Sequence, residues 1–259
     1  MSRIKVLIIR TAGTNCDRET KTAFELLKVN VRLLHVNDLL RRREKIYNYQ
    51  AVVFPGGFTY GDDIAAGKIL ANELKMKLKD ELRAFLKKNR LMIGICNGFQ
   101  VLVKMGILPG NESLRQEATL GCNDSGKFEA RWTYLRKFQN GCVWTKGING
   151  FVYIPVAHGE GKFIPANRQV LDRMKRNEQI VFQYCSSDGR LSMYPDNPNG
   201  SIEHIAGICD RTGKIFGLMP HPERFVFATQ HPRWTRRKTG FLPDGLRIFR
   251  NGIEFLKKA

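Results

Sequence analysis

The chain has 259 residues, 42% hydrophobic and 26% charged, which suits a folded protein with one sizeable core and excludes a disordered chain. No uncharged apolar run approaches the ~18 residues needed to cross a bilayer. The formal charge of +19 raises a nucleic-acid role, yet the cations fall in scattered groups such as Arg41-Arg42-Arg43, Lys87-Lys88 and Arg236-Arg237-Lys238, without a zinc-finger, RNP-like or basic-zipper pattern.

In chain order, Lys5–Ile9 reads as a first buried strand. Its apolar block is cut short by Arg10, too soon for a secretory leader, so the expected location is the cytoplasm. A helix follows over Asp17–Leu27, with Asp17 as a possible cap. Strands are expected at Val31–Val36 and at Ala51–Phe54, the latter stopped by Pro55-Gly56-Gly57. A long amphipathic helix is expected over Ile69–Lys88, with Leu70, Leu74, Leu78, Leu82 and Phe85 at helical spacing. Leu91–Ile95 is a fourth strand running into a helix over Gly98–Met105. This alternation implies a mostly parallel sheet covered on both faces, with ligands bound beyond the carboxyl ends of its strands. From about residue 110 the strands shorten and read as antiparallel. Gly213–Met219 is a further buried strand, and Asp244–Lys258 a closing helix. With no repeat, low-complexity tract or linker, the expected organisation is one domain over 1–259 with an elaborated second half.

Six cysteines, at 16, 96, 122, 142, 185 and 209, include no Cys-x-x-Cys pair. This argues against a disulfide framework or a zinc site, and most read as small buried hydrophobes. Cys96 stands apart in Gly94-x-Cys96-x-Gly98. A nucleophile on a sharp strand-to-helix turn needs small neighbours, and the helix N-terminus favours thiolate. The Asn97 N–H would then face a developing oxyanion. By itself the stretch reads either this way or as a buried cysteine at a tight turn. Downstream, "FGLMPHPERF" places His221 and Glu223 two apart, so that in extended chain they share a face. There the carboxylate orients one ring nitrogen and leaves the other for a thiol. Gly57, in "PGGFTYGDD", offers a second unobstructed N–H. Gly61 to Gly67-Lys68 is not a P-loop: the glycine spacing is too long by one and Ile69 replaces the magnesium-binding hydroxyl.

With these elements in order, the sequence resembles class I, triad-type glutamine amidotransferases. More narrowly, it resembles the glutaminase subunit family of phosphoribosylformylglycinamidine synthase. The resemblance runs through "TNCD" (14–17), "PGGFTYGDD" (55–63), "GICNGFQVL" (94–102), "NDSGKFEARW" (123–132), "PVAHGEGKF" (155–163), "NPNGS" (197–201) and "GLMPHPER" (217–224). It implies a flavodoxin-like three-layer sandwich. Cys96 would be the nucleophile, His221 the acid and base, and Glu223 the residue orienting it. Gly57 and Asn97 would supply the oxyanion hole, and Gln100, Gly56 and Phe58 would contact glutamine. His158 would lie near the site or a partner surface. No metal or cofactor is implied for this chain. ATP and Mg2+ would serve a large synthetase subunit, reached with a small bridging subunit, which converts formylglycinamide ribonucleotide to the amidine. The segment 230–245 reads as an insertion, and the basic excess exceeds that of the family. Two other classes stay in view. One is a cysteine hydrolase of related architecture, although such enzymes place a histidine directly after the nucleophile, where Asn97 stands here. The other is a nucleic-acid-binding protein without catalysis.

Overall fold

The computed structural model describes residues 4–110, 113–138, 140–236 and 241–258. Its first half alternates β1 (Lys5–Arg10), α1 (Asp17–Glu25), β2 (Asn30–His35), α2 (Val36–Leu40), β3 (Ala51–Phe54), α3 (Lys68–Lys77), α4 (Lys79–Leu86), β4 (Leu91–Ile95) and α5 (Asn97–Lys104). Then come β5 (Ala118–Gly121), β6 (Glu129–Lys137), β7 (Phe151–His158), β8 (Lys162–Pro165), α6 (Arg168–Arg176) and β9 (Ile180–Cys185). The chain closes with β10 (Ile205–Cys209), β11 (Ile215–Leu218) and α7 (Asp244–Lys258).

Nine strands form one sheet in the order β2-β1-β3-β4-β11-β10-β9-β6-β7, while β5 and β8 pair separately. Pairing is parallel from β2 across to β11 and antiparallel from there to β7. Every residue of β3, β4 and β11 is buried, as continuous apolar strands covered on both faces must be. One helical layer joins α1 to α7 through Phe24 and Phe249, whose ring centroids are 5.0 Å apart edge-to-face. On the sheet, α5 lies against β3, β4 and β11, and α3 packs on α5. The first five strands of this order repeat the flavodoxin-like arrangement. Among the described residues no helix is long and apolar enough to cross a membrane.

Three local expectations fail, each for a physical reason. The long helix is two helices, broken at Leu78 (φ −124°, ψ 20°). Leu70, Leu74, Leu78, Leu82 and Phe85 are all buried, so the apolar period passes through the break and cannot reveal it. Asp17 does not cap α1. Cys16 holds that position, while Asp17 accepts the N–H of Arg18 at 2.9 Å and pairs with Arg10 at 3.2 Å. Val36 begins α2 rather than ending β2, because His35 turns its ring to accept the Asn37 N–H at 3.2 Å.

The parallel pairing of β4 with β11 positions the site. Ile95 lies opposite Leu218, so the residues after both strands leave the sheet at the same end. Cys96 follows one strand directly and His221 follows the other after Met219-Pro220.

Candidate active site

Cys96 sits between β4 and α5 with φ 51° and ψ −107°, a conformation costly for any residue bearing a Cβ. The residue is 5% exposed, its N–H is anchored on the Leu218 carbonyl at 2.8 Å, and its thiol lies 3.7 Å from the Ala157 carbonyl. The turn closes because Gly98 passes against β3. A Cβ there would meet the Phe54 carbonyl oxygen at 1.9 Å. Gly57 has φ +143°, and a Cβ on it would lie 2.6 Å from the Gly13 carbonyl oxygen. Among the described residues, neither the Gly57 N–H nor the Asn97 N–H donates a hydrogen bond. Both residues stand at strand ends of the same sheet edge, which leaves two donors for an incoming oxyanion.

His221 is 2% exposed and its N–H donates to the Pro155 carbonyl of β7 at 2.8 Å. The chain does not continue extended. Pro222 opens a single 3-10 turn through Arg224, and the turn returns the Glu223 carboxylate to His221 Nδ1 at 2.6 Å. The shared-face expectation therefore gave the right pair through the wrong geometry. His221 Nε2 and Glu223 Oε2 are buried without hydrogen-bond partners. Burial opposes charge on the imidazole, but the carboxylate of Glu223, then the thiols of Cys96 and Cys16, outweigh it. Together they hold the His221 pKa well above its ordinary value. The arrangement thus supports an imidazolium beside the Cys96 thiol.

These groups meet on a cavity of ≈ 400 Å³, large enough for an amino acid. Of the sequence-nominated residues, Gly57, Phe58, Cys96, Gln100, His158 and His221 line it. Glu223 stands behind His221, and Gly56 packs under its ring, where a Cβ would meet Cε1 at 2.7 Å. Phe58 is half-exposed at the wall, its ring 6.3 Å from that of Phe128. The Gln100 side chain lies inward, accepting from Asn97 Nδ2 at 3.0 Å and donating to the Glu160 carbonyl at 2.5 Å. His158 is held by Asn123 Oδ1 at 3.1 Å and Asn199 Nδ2 at 3.5 Å. Burial first, then the neighbouring His221, push its pKa down to about 3, so it sits neutral within the wall. A larger hollow of ≈ 840 Å³ beside α7 contains none of these groups.

Four wall residues with titratable side chains escaped sequence reasoning: Cys16, Asp62, Glu160 and Arg224. All lie inside quoted motifs, but nothing in their spacing assigns them a part. Cys16 Sγ is 4.0 Å from His221 Nδ1 and 3.2 Å from Arg224 Nη2, and its pKa is raised chiefly by burial. Cys16, His221 and Glu223 offer ligand atoms within 4.8 Å of one another, the one such set among the described residues. The Arg224 guanidinium beside the sulfur opposes a divalent cation there. Of the expected insertion, residues 237–240 lie outside the described residues. Its first part folds inward, with His231 buried 5.5 Å from Trp132 and 5.7 Å from Phe225 by ring centroids.

The sequence profile of the CobB/CobQ-like glutamine amidotransferase domain matches residues 3–256. Among curated proteins, phosphoribosylformylglycinamidine synthase subunit PurQ of Dehalococcoides mccartyi is 48% identical over 100% of both chains. The subunit of the same name from Archaeoglobus fulgidus is 42% identical over 98% of each. Among solved structures, a chain of PurLQS from Thermotoga maritima superposes with a TM-score of 0.74 at 27% identity, covering 98% of this chain and 100% of that one.

Proposed function

Because the chain belongs to the CobB/CobQ-like glutamine amidotransferase domain family, and within it to the PurQ subunits, we propose that it is the glutaminase subunit of phosphoribosylformylglycinamidine synthase. The reaction is glutamine plus water giving glutamate and ammonia. The ammonia goes to a synthetase subunit that converts formylglycinamide ribonucleotide to formylglycinamidine ribonucleotide in purine biosynthesis. One observation carries the reading: Cys96 on a strained elbow and the His221–Glu223 pair open on the same amino-acid-sized cavity.

The chemistry follows from that arrangement. The Cys96 thiolate attacks the side-chain amide carbon of glutamine, and the carbonyl oxygen becomes an oxyanion received by the N–H groups of Gly57 and Asn97. The His221 imidazolium gives its proton to the departing nitrogen, and ammonia leaves a thioester on Cys96. Neutral His221 then takes a proton from water, which attacks the thioester, and the thiolate leaves with glutamate as product. Glu223 fixes the ring through Nδ1 and balances the positive charge that Nε2 carries between transfers. Gln100 acts by fixing the Glu160 main chain at the cavity wall, while Gly56 and Phe58 shape the approach of glutamine.

The chain supplies no ATP-dependent step. ATP and Mg2+ belong to the large synthetase subunit, and a small bridging subunit completes the assembly. The PurLQS similarity supports such an association. Six free cysteines support a cytoplasmic setting. The test is glutamate release from glutamine by the purified chain, alone and with the synthetase subunit present. Wild type hydrolyses glutamine in the complex and Cys96→Ala does not; retained hydrolysis in Cys96→Ala would refute the assignment.

A further inference from the structure

Away from the active site, two of the six cysteines touch. Cys142 lies in the connection between β6 and β7, and Cys209 ends β10. Both are buried, neither is in a disulfide, and the Cys209 thiol donates to the Cys142 sulfur. Hydrogen bonds of the main chain hold them there. The Cys142 N–H donates to Asn140 Oδ1 at 3.0 Å, the Val143 N–H to the Gly213 carbonyl at 2.9 Å, and the Cys209 N–H to the Gln179 carbonyl at 2.8 Å. The approach depends on Gly213 having no side chain. A Cβ there would lie 2.2 Å from the Gly141 carbonyl oxygen and 3.1 Å from Cys142 Cα.

The two sulfurs are not equivalent. Cys209 keeps its proton, because donation to Cys142 and then burial raise its pKa. Cys142 instead lines the ≈ 840 Å³ hollow beside α7, where Lys137 acts on its sulfur electrostatically. A neighbouring ammonium favours a thiolate. Lys146 and Lys258 stand on the same wall, and the one acid among the described lining residues, Glu254, is paired with Lys257 at 2.8 Å. The hollow is therefore positive, and it gives Cys142 a route to solvent with Cys209 behind it.

We propose that Cys142 and Cys209 are a peroxide-sensitive dithiol, Cys142 attacking and Cys209 resolving, whose disulfide reversibly ties the β6–β7 connection to β10. The Cys142 thiolate attacks one oxygen of a hydroperoxide, the O–O bond breaks, and the departing hydroxide takes up a proton as water. The sulfenic acid left on Cys142 is attacked by the Cys209 sulfur, which gives up its proton as the S–O bond breaks and a second water leaves. Two thiols thus pass two electrons to one peroxide. In the cytoplasmic setting proposed above, exchange with a small thiol reverses the bond, so it forms under oxidation and is not a permanent staple. Gly213 precedes β11 and His221 follows it, so the dithiol and the active site occupy opposite ends of that strand. Oxidation here is separable from the chemistry at Cys96.

The experiment treats the full chain, as Cys96→Ala to remove the nucleophile, with excess hydrogen peroxide. Peptide mapping without reductant finds Cys142 joined to Cys209, and dithiothreitol restores both thiols. The bond closes a loop of more than sixty residues, so Tm rises by at least about 5 °C and falls back on reduction. Adding Cys209→Ala stops Cys142 at the sulfenic acid, which dimedone traps. Adding Cys142→Ala slows oxidation of Cys209 at least tenfold. A pair that stays reduced under excess peroxide, or a bond from either residue to another cysteine, overturns the proposal. Dimedone trapped on Cys209 in place of Cys142 overturns the roles, and a bond that leaves Tm unchanged overturns the staple. Mapping and Tm of the chain with both thiols intact decide the matter even where an alanine variant fails to fold.

Discussion

Replacing Glu223 by glutamine keeps the shape at His221 and removes only the charge. The pair is 2.6 Å apart, with side chains 2% and 0% exposed, so water cannot stand in for the carboxylate. Removing one partner of a buried pair costs about 3–5 kcal/mol, because the other charge is left uncompensated. In the proposed mechanism the imidazolium exists at the step in which ammonia leaves, so most of that cost falls on the transition state. At 1.36 kcal/mol per tenfold, kcat/KM falls by about 10²- to 10⁴-fold. The pH profile gives a second sign. Glu223 is the largest influence holding the His221 pKa up, so its loss brings the alkaline limb of activity to lower pH. The assay is glutamate release by the complex from pH 5 to 10. A loss below threefold, with the alkaline limb unmoved, would refute the view that the carboxylate's charge sustains the imidazolium.

Three further outcomes follow from the same structure. Gly98→Ala puts a Cβ 1.9 Å from a β3 carbonyl with no side chain to yield, so urea unfolding should show a loss of at least about 3 kcal/mol; a change under 1 kcal/mol would mean that the elbow relaxes freely. His158 is buried neutral with its pKa pushed from 6.5 to about 3, so between those values the unfolded chain binds the extra proton and stability falls as pH falls. Between pH 7 and 4.5 wild type should lose about 3 kcal/mol more than His158→Gln, and parallel slopes would contradict this. Cys122 is the one exposed cysteine, so a thiol reagent acting on native Cys96→Ala should modify one thiol rapidly, identified by peptide mapping as Cys122; rapid reaction of a second would show that the cavity cysteines are accessible.

How much of this was legible in the sequence depends on whether the signal is local. The parallel strands Ala51–Phe54 and Leu91–Ile95 announce themselves as continuous apolar runs, and Cys96 is marked by its two glycines. His221 and Glu223 are readable as a pair, although the 3-10 turn that joins them is not, because proline suits both an extended and a turning chain. The break at Leu78 is hidden since burial keeps its helical period across it. Cys16, Asp62 and Glu160 are hidden for another reason. Each reaches the site from a different loop, and only the sheet order brings those loops together.

The pairing of β4 with β11 also governs when the enzyme becomes active during folding. More than a hundred residues separate Cys96 from His221, and the interval includes β9 and β10, which extend the sheet outward from β11 in the order β11-β10-β9. Closing so long a loop is an entropic cost met late, after local helices and the β1–β3 pairs can form. Recovered glutaminase activity should therefore trail the return of helical signal in refolding, and a nascent chain released before β11 would hold Cys96 without His221.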